Sequence, residues 1–148
     1  MNIIIYGNSG SGKSTFAARL SARHPTFKHI NTGEITRMMA RFGCHNLPVL
    51  VQTIIDSLDF DDNHIFDHFY MHTWHQLYEN FGTPIVVEMI DKTSRPKRDS
   101  RKTERFEAQH REIQEFFVRH SIKPIKVYNT DYGFDVSELI NAGVLPFS

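Results

Sequence analysis

Eight residues near the start of the chain, Gly7-Asn8-Ser9-Gly10-Ser11-Gly12-Lys13-Ser14, carry its most specific chemical pattern. They fit G-x-x-x-x-G-K-[ST] at every fixed position, between a short β-branched run and a stretch of helical spacing, the setting a phosphate-binding P-loop requires. Gly7, Gly10 and Gly12 let the backbone wrap around phosphates, because a side chain there would block the approach or forbid the needed dihedrals. The loop amides and the N-terminus of the following helix then make an anion site. In such a loop Lys13 reaches the β and γ phosphates, the Ser14 hydroxyl ligates magnesium, and Thr15 touches the α phosphate. A nucleoside triphosphate with its magnesium ion is the expected ligand of Gly7 to Thr15, including Asn8, Ser9 and Ser11.

Other residues suit the same chemistry. Arg37 and Arg41 lie one helical turn apart, and a guanidinium grips a phosphate through two parallel hydrogen bonds; alone, a solvent-facing helix explains both equally well. Asp67 ends an apolar run, and an aspartate at the carboxyl end of a parallel strand beside such a loop is placed to hold magnesium through water. Asp67, His68, His72 and His75 also have the spacing of a metal cluster, without a convincing fourth ligand or a cysteine pair. Lys92, Arg95, Lys97, Arg98, Arg101 and Lys102 form a basic run that, by itself, reads as a solvated loop.

The elements that must position these residues are legible as alternating runs. Asn2 to Tyr6, Phe27 to Ile30, His64 to Phe69, Ile85 to Ile90 and Ile122 to Tyr128 read as strands, each separated from the next by enough chain for a crossover helix. Helices are expected at Phe16 to Leu20, at Glu34 to Phe42 and Leu47 to Leu58 with a break near Gly43 and Pro48, and at Thr73 to Phe81. The longest runs from Lys102 to His120, with Phe106, Ile113, Phe116 and Phe117 on its apolar side. The pattern predicts an α/β fold with a parallel sheet covered on both faces.

A length of 148 residues suits one domain. Lys plus Arg and Asp plus Glu balance at 17 each, which argues against a long nucleic-acid track or an anionic membrane surface. Cys44 is the only cysteine, and the opening apolar run is too short for a signal peptide or membrane span. The expectation is a soluble, cytoplasmic protein that makes no membrane contact.

Taken together, these motifs resemble the nucleoside monophosphate kinases of the adenylate kinase type, nearly end to end. Thr32-Gly33-Glu34-Ile35-Thr36-Arg37 is similar to the family's Thr-Gly-Asp-Met-Leu-Arg, with Glu34 in place of Asp. Asp67-His68-Phe69-Tyr70-Met71 is similar to Asp-Gly-Phe-Pro-Arg, but the glycine, the proline and the acceptor-binding arginine are gone. Arg41, His68 and His72 are candidates to compensate at Met71. The resemblance implies a three-layer α/β/α P-loop kinase fold with a five-stranded parallel sheet, formed by one domain over residues 1–148. It also implies an acceptor-binding helical segment at about 33–60 and a short lid at about 92–102, too short for a zinc-binding insert.

By the same resemblance Thr32, Gly33, Glu34, Arg37 and Arg41 hold a small-molecule nucleotide acceptor, Ser14 and Asp67 serve the metal, and Lys13, Arg95, Arg98 and Arg105 are catalytic. Ile125 to Asn129 and Thr130 form the last strand and the loop that lies against the donor base, and Val136 to Ile140 forms a closing helix. The implied activity is transfer of the ATP γ-phosphoryl group to a nucleoside or deoxynucleoside monophosphate. Two alternatives stand beside it. One is a kinase for a hydroxyl acceptor, either a polynucleotide 5′ end or a small metabolite, with Glu34 or Asp67 as base; only this reading involves nucleic acid, and His24 to Ala40 faintly resembles phage polynucleotide kinases. The other is a nucleotide-binding switch with little turnover.

Overall fold

Ile3, Ile4 and Ile5 in succession cannot all face one side of a strand, since alternate side chains point opposite ways, so a strand built on them needs cover on both faces. The computed structural model, which describes residues 1–8, 10–67, 74–96 and 100–145, shows that cover. In β1 (Asn2–Gly7), Ile3 and Ile5 pack with Phe16, Ala17 and Leu20 of α1 (Lys13–Arg23) and with Leu139 of α6 (Ser137–Asn141). Ile4 and Tyr6 pack on the opposite face. There they meet Val51 and Ile55 of α3 (Leu47–Asp56), Leu77 of α4 (Trp74–Phe81), and Ile113 and Phe117 of α5 (Ser100–Arg119). Each such aliphatic side chain contributes roughly 1.5–3 kcal/mol when fully buried.

β2 (Phe27–Asn31), β3 (Asn63–Asp67), β4 (Ile85–Asp91) and β5 (Ile125–Thr130) join β1 in the order β2-β3-β1-β4-β5, all parallel. The sheet is nevertheless mixed and six-stranded, which corrects the expected five-stranded parallel sheet: β6 (Gly133–Asp135) adds an antiparallel edge beside β5. A tight turn makes this possible. Thr130 Oγ1 donates to the Gly133 carbonyl at 2.8 Å and accepts from the Tyr132 amide at 3.2 Å, while Gly133 turns at φ +120°.

Several boundaries move for local reasons. β5 starts at Ile125 because Pro124 precedes it. Ile122, expected in that strand, instead closes the end of α5, its amide bonding the Phe117 carbonyl at 2.8 Å after Ser121 at φ +55°. α2 (Thr32–Ala40) starts two residues before the expected Glu34, because the Asn31 side chain accepts from the Glu34 amide at 2.9 Å and caps the helix there. Asn46 caps α3 in the same way, and Pro48 falls in the first turn, where its missing N–H costs nothing.

The parallel strands end together at one edge of the sheet, at Gly7, Asn31, Asp67, Asp91 and Thr130. The chain leaves β1 toward β2 through α1 on one face, then returns past β1 through α4 on the other. The switch in direction falls at β1, where open α/β sheets form their ligand crevice.

Candidate functional site

At that switch β1 gives way to the Gly7–Ser14 loop. A Cβ on Gly7 would lie 2.7 Å from the Met89 carbonyl oxygen and 2.8 Å from Ser11 Oγ, so only glycine fits between β4 and the loop. Gly10 (φ +81°) and Gly12 (φ +94°) take the left-handed region that reverses the chain. The turn is closed by the Ser11 amide on the Asn8 carbonyl at 3.1 Å, and Asn129 at the end of β5 donates its side-chain amide to the Ser11 carbonyl at 3.3 Å. Gly12 is the N-cap of α1. No side chain caps that helix and no acidic residue lies in its first turn, so its N-terminal amides and partial positive charge face the loop. Ser11 Oγ is buried and has no hydrogen-bond partner among the described residues.

Lys13 folds back over this loop. Its Nζ donates to the Gly7 carbonyl at 2.7 Å and to the Asn8 carbonyl at 3.3 Å. Burial lowers its pKa from the usual 10.5, and the negative charge of Asp67 opposes that shift in part. Asp67 pairs in register with Ile5 of β1 and is completely buried at the end of β3. One of its carboxylate oxygens, Oδ2, lies 3.1 Å from His29 Nε2, reached from β2 on the other side. The predicted lysine and aspartate thus share one electrostatic environment, with a histidine behind the acid. Ser14 is half-buried and Thr15 exposed at the start of α1. Ser9 lies outside the described residues.

On α2, Thr32 and Gly33 are buried, with Thr32 Oγ1 unpartnered among the described residues, whereas Glu34 is exposed. Arg37 and Arg41 are exposed near the helix end, so α2 presents guanidinium groups without burying them. Beyond β4, Asp91 Oδ1 accepts from the Thr93 amide and hydroxyl at 2.9 and 2.6 Å, and Asp131 Oδ1 accepts from the Ser94 amide at 3.0 Å. These bonds present Arg95, whose Nη2 reaches the Gly10 carbonyl at 3.5 Å. Arg95 is therefore brought to the loop. Arg105 is exposed on α5, and nothing described joins it to the loop. Arg98 lies outside the described residues, as do His68, Met71 and His72.

Five residues at or beside the site were not singled out by any motif: His29, Asn129, Glu88, Tyr6 and His110. His29 carries no motif and becomes visible only through the β2–β3 register. Asn129 falls in the segment expected to lie against the donor base, and its side chain in addition supports the loop from β5. Glu88, Tyr6 and His110 form a polar group beneath the loop on the α5 face, again assembled by register rather than by spacing.

No described helix is long and apolar enough to cross a membrane. Neither a protein-family model nor a curated protein matches the chain, so its chemistry is read from this geometry.

Proposed function

We propose that this chain is a P-loop kinase that transfers the γ-phosphoryl group of ATP to a nucleoside or deoxynucleoside monophosphate. The observation that carries the reading is the Gly7–Ser14 loop, which leaves the central strand at the ligand edge of the sheet and runs into a helix N-terminus that no side chain caps. The reading is supported by a Gly7 position with no room for a Cβ, by two glycines at positive φ, and by a lysine held over the loop by the Gly7 and Asn8 carbonyls.

Each residue then has a physical task. The loop amides and the α1 N-terminus bind the β and γ phosphates, and Lys13 exchanges its carbonyl partners for anionic oxygens, which make stronger hydrogen bonds. Ser14 and Asp67 would hold magnesium, Asp67 through water. The ion supplies charge neutralisation and alignment of the phosphate oxygens. His29 fixes the Asp67 carboxylate. Arg95, carried by the short segment at about 92–102, is placed to stabilise charge on the moving phosphoryl group, an effect worth ~10³ to 10⁵ in rate when an arginine supplies it. Arg37 and Arg41 on the segment at about 33–60 receive the acceptor phosphate. That phosphate is already anionic, so no general base is needed.

The test is a panel of purified protein, ATP and magnesium with each monophosphate, a 5′-hydroxyl oligonucleotide, or water alone. ADP release above the water control with at least one monophosphate is the expected result. Release stimulated only by the oligonucleotide would move the acceptor to a hydroxyl, and no stimulation by anything would overturn kinase activity.

A further inference from the structure

One charged group beside the site has no task in this chemistry. Glu88 stands on β4 in register with Tyr6, one position behind Gly7 and Met89. Its face of the sheet is otherwise lined by Val86, Phe66, Ile113 and Phe117. Its side chain keeps 19% of its surface exposed, so it is partly enclosed yet reachable. A carboxylate in apolar surroundings is costly unless donors surround it. The buried Tyr6 phenol stands opposite it in register, and burial, then the negative charge of Glu88, raise the Tyr6 pKa. The His110 ring is the nearest cationic candidate, with Nε2 4.0 Å from Glu88 Oε1, but that nitrogen already lies 3.0 Å from Gln114 Nε2. Among the described residues no lysine or arginine pairs with Glu88.

An ionised carboxylate has about four acceptor positions and no donor, so Glu88 retains capacity for donors that arrive from outside. The aromatic rings beside it lie close to parallel. Phe106 and His110 stack at 5.5 Å and 20°, and His110 stacks on Tyr6 at 5.8 Å and 26°. An aromatic stack next to an acceptor-only group suits a planar heterocycle whose edge offers N–H donors.

We infer that Glu88 reads the base of the acceptor nucleotide and selects guanine. Guanine presents N1–H and an exocyclic N–H side by side, which one carboxylate accepts in parallel. Adenine and cytosine set a ring nitrogen lone pair beside their amino group, and thymine flanks its N–H with two carbonyls, so each brings an acceptor against the carboxylate. This rests on the kinase reading, because it requires an acceptor nucleotide in the crevice.

The experiment measures phosphoryl transfer, and separately equilibrium binding in the presence of a non-hydrolysable ATP analogue, for GMP, dGMP, AMP, CMP and TMP with wild type and Glu88→Gln. Wild type should favour the guanine nucleotides in kcat/KM and in Kd by at least about 10²-fold, since a site built to hydrogen-bond a specific edge can reject analogues lacking it by as much as about 10⁴ to 10⁵. Glu88→Gln, which exchanges one acceptor for a donor at constant size, should erase at least about tenfold of that preference with ATP affinity unchanged. Equal losses for every base, or a wild type with no guanine preference, overturn the assignment. If no monophosphate is phosphorylated but guanine nucleotides still bind wild type and not the variant, the kinase reading fails and Glu88 keeps its role. Should Glu88→Gln not fold, Glu88→Asp, which withdraws the carboxylate by one methylene, is judged by the same ranking.

Discussion

Lys13 holds the account at the scale of a single residue. Its half-buried ammonium lies against the Gly7 and Asn8 carbonyls, and desolvation, opposed in part by Asp67, leaves its pKa below the usual 10.5. The folded free protein therefore gives up this proton at a lower pH than the unfolded chain. Stability contributed at this position rises as pH climbs from the lowered value toward 10.5, and the charged lysine is penalised below it. A bound triphosphate reverses the preference by favouring the cation. Donor binding should thus take up a proton in the alkaline range just below 10.5 and weaken as pH rises through the lowered pKa. Calorimetry in buffers of different ionisation enthalpy checks this, and Lys13→Ala should abolish both the proton uptake and the turnover. Lys13 and Ser14 were legible because their motif is contiguous. His29 with Asp67, 38 residues apart, and Glu88 with Tyr6 were not, because pleat and register bring them together and neither leaves a mark in spacing.

At the scale of elements, the junction between β1 and α1 depends on the absence of a side chain at Gly7. Gly7→Ala would press a methyl against the Met89 carbonyl and Cβ, both belonging to the adjacent strand, so β1 and β4 must part. Overpacking of this kind costs roughly 1–3 kcal/mol, and a fall in the urea midpoint at unchanged slope would show it. Gly82→Ala is the contrast. It also has positive φ, but no atom lies within 4 Å of the added Cβ, so it should cost only the backbone strain. The parallel strands were legible as apolar runs of the right length. β6 was not, since Gly133–Asp135 is too short for a periodic signal and exists because the Thr130 turn returns the chain onto β5. The early start of α2 was hidden in the same way, in the Asn31 cap rather than in hydrophobic spacing.

At the scale of the whole molecule, two apolar clusters clamp the sheet from its two faces, and the Gly7–Ser14 loop lies at its carboxyl edge. The opposite end carries a pH-sensitive contact. His64 is fully buried beside Phe66 and Phe81, and its Nδ1 lies 2.8 Å from Asn2 Oδ1. Burial lowers its pKa from 6.5, so below that value the unfolded chain binds a proton that the fold refuses. Stability should fall as pH drops from 6.5 toward the lowered value, and the non-titrating His64→Gln should flatten the Tm difference between pH 7 and pH 5. The α/β class was legible because alternation of strands and helices is a property of the whole chain. The proposed acceptor was not, because the residues assigned to it, Arg37, Arg41 and Glu88, belong to α2, its C-cap and β4.

The central claim is that this loop delivers a phosphoryl group to a nucleotide, and following the label from γ-labelled ATP with magnesium tests it most directly. The account predicts label on at least one nucleoside monophosphate with wild type and none with Lys13→Ala. Label that appears only as inorganic phosphate at the water-control rate, whatever acceptor is added, or transfer undiminished in Lys13→Ala, would contradict it.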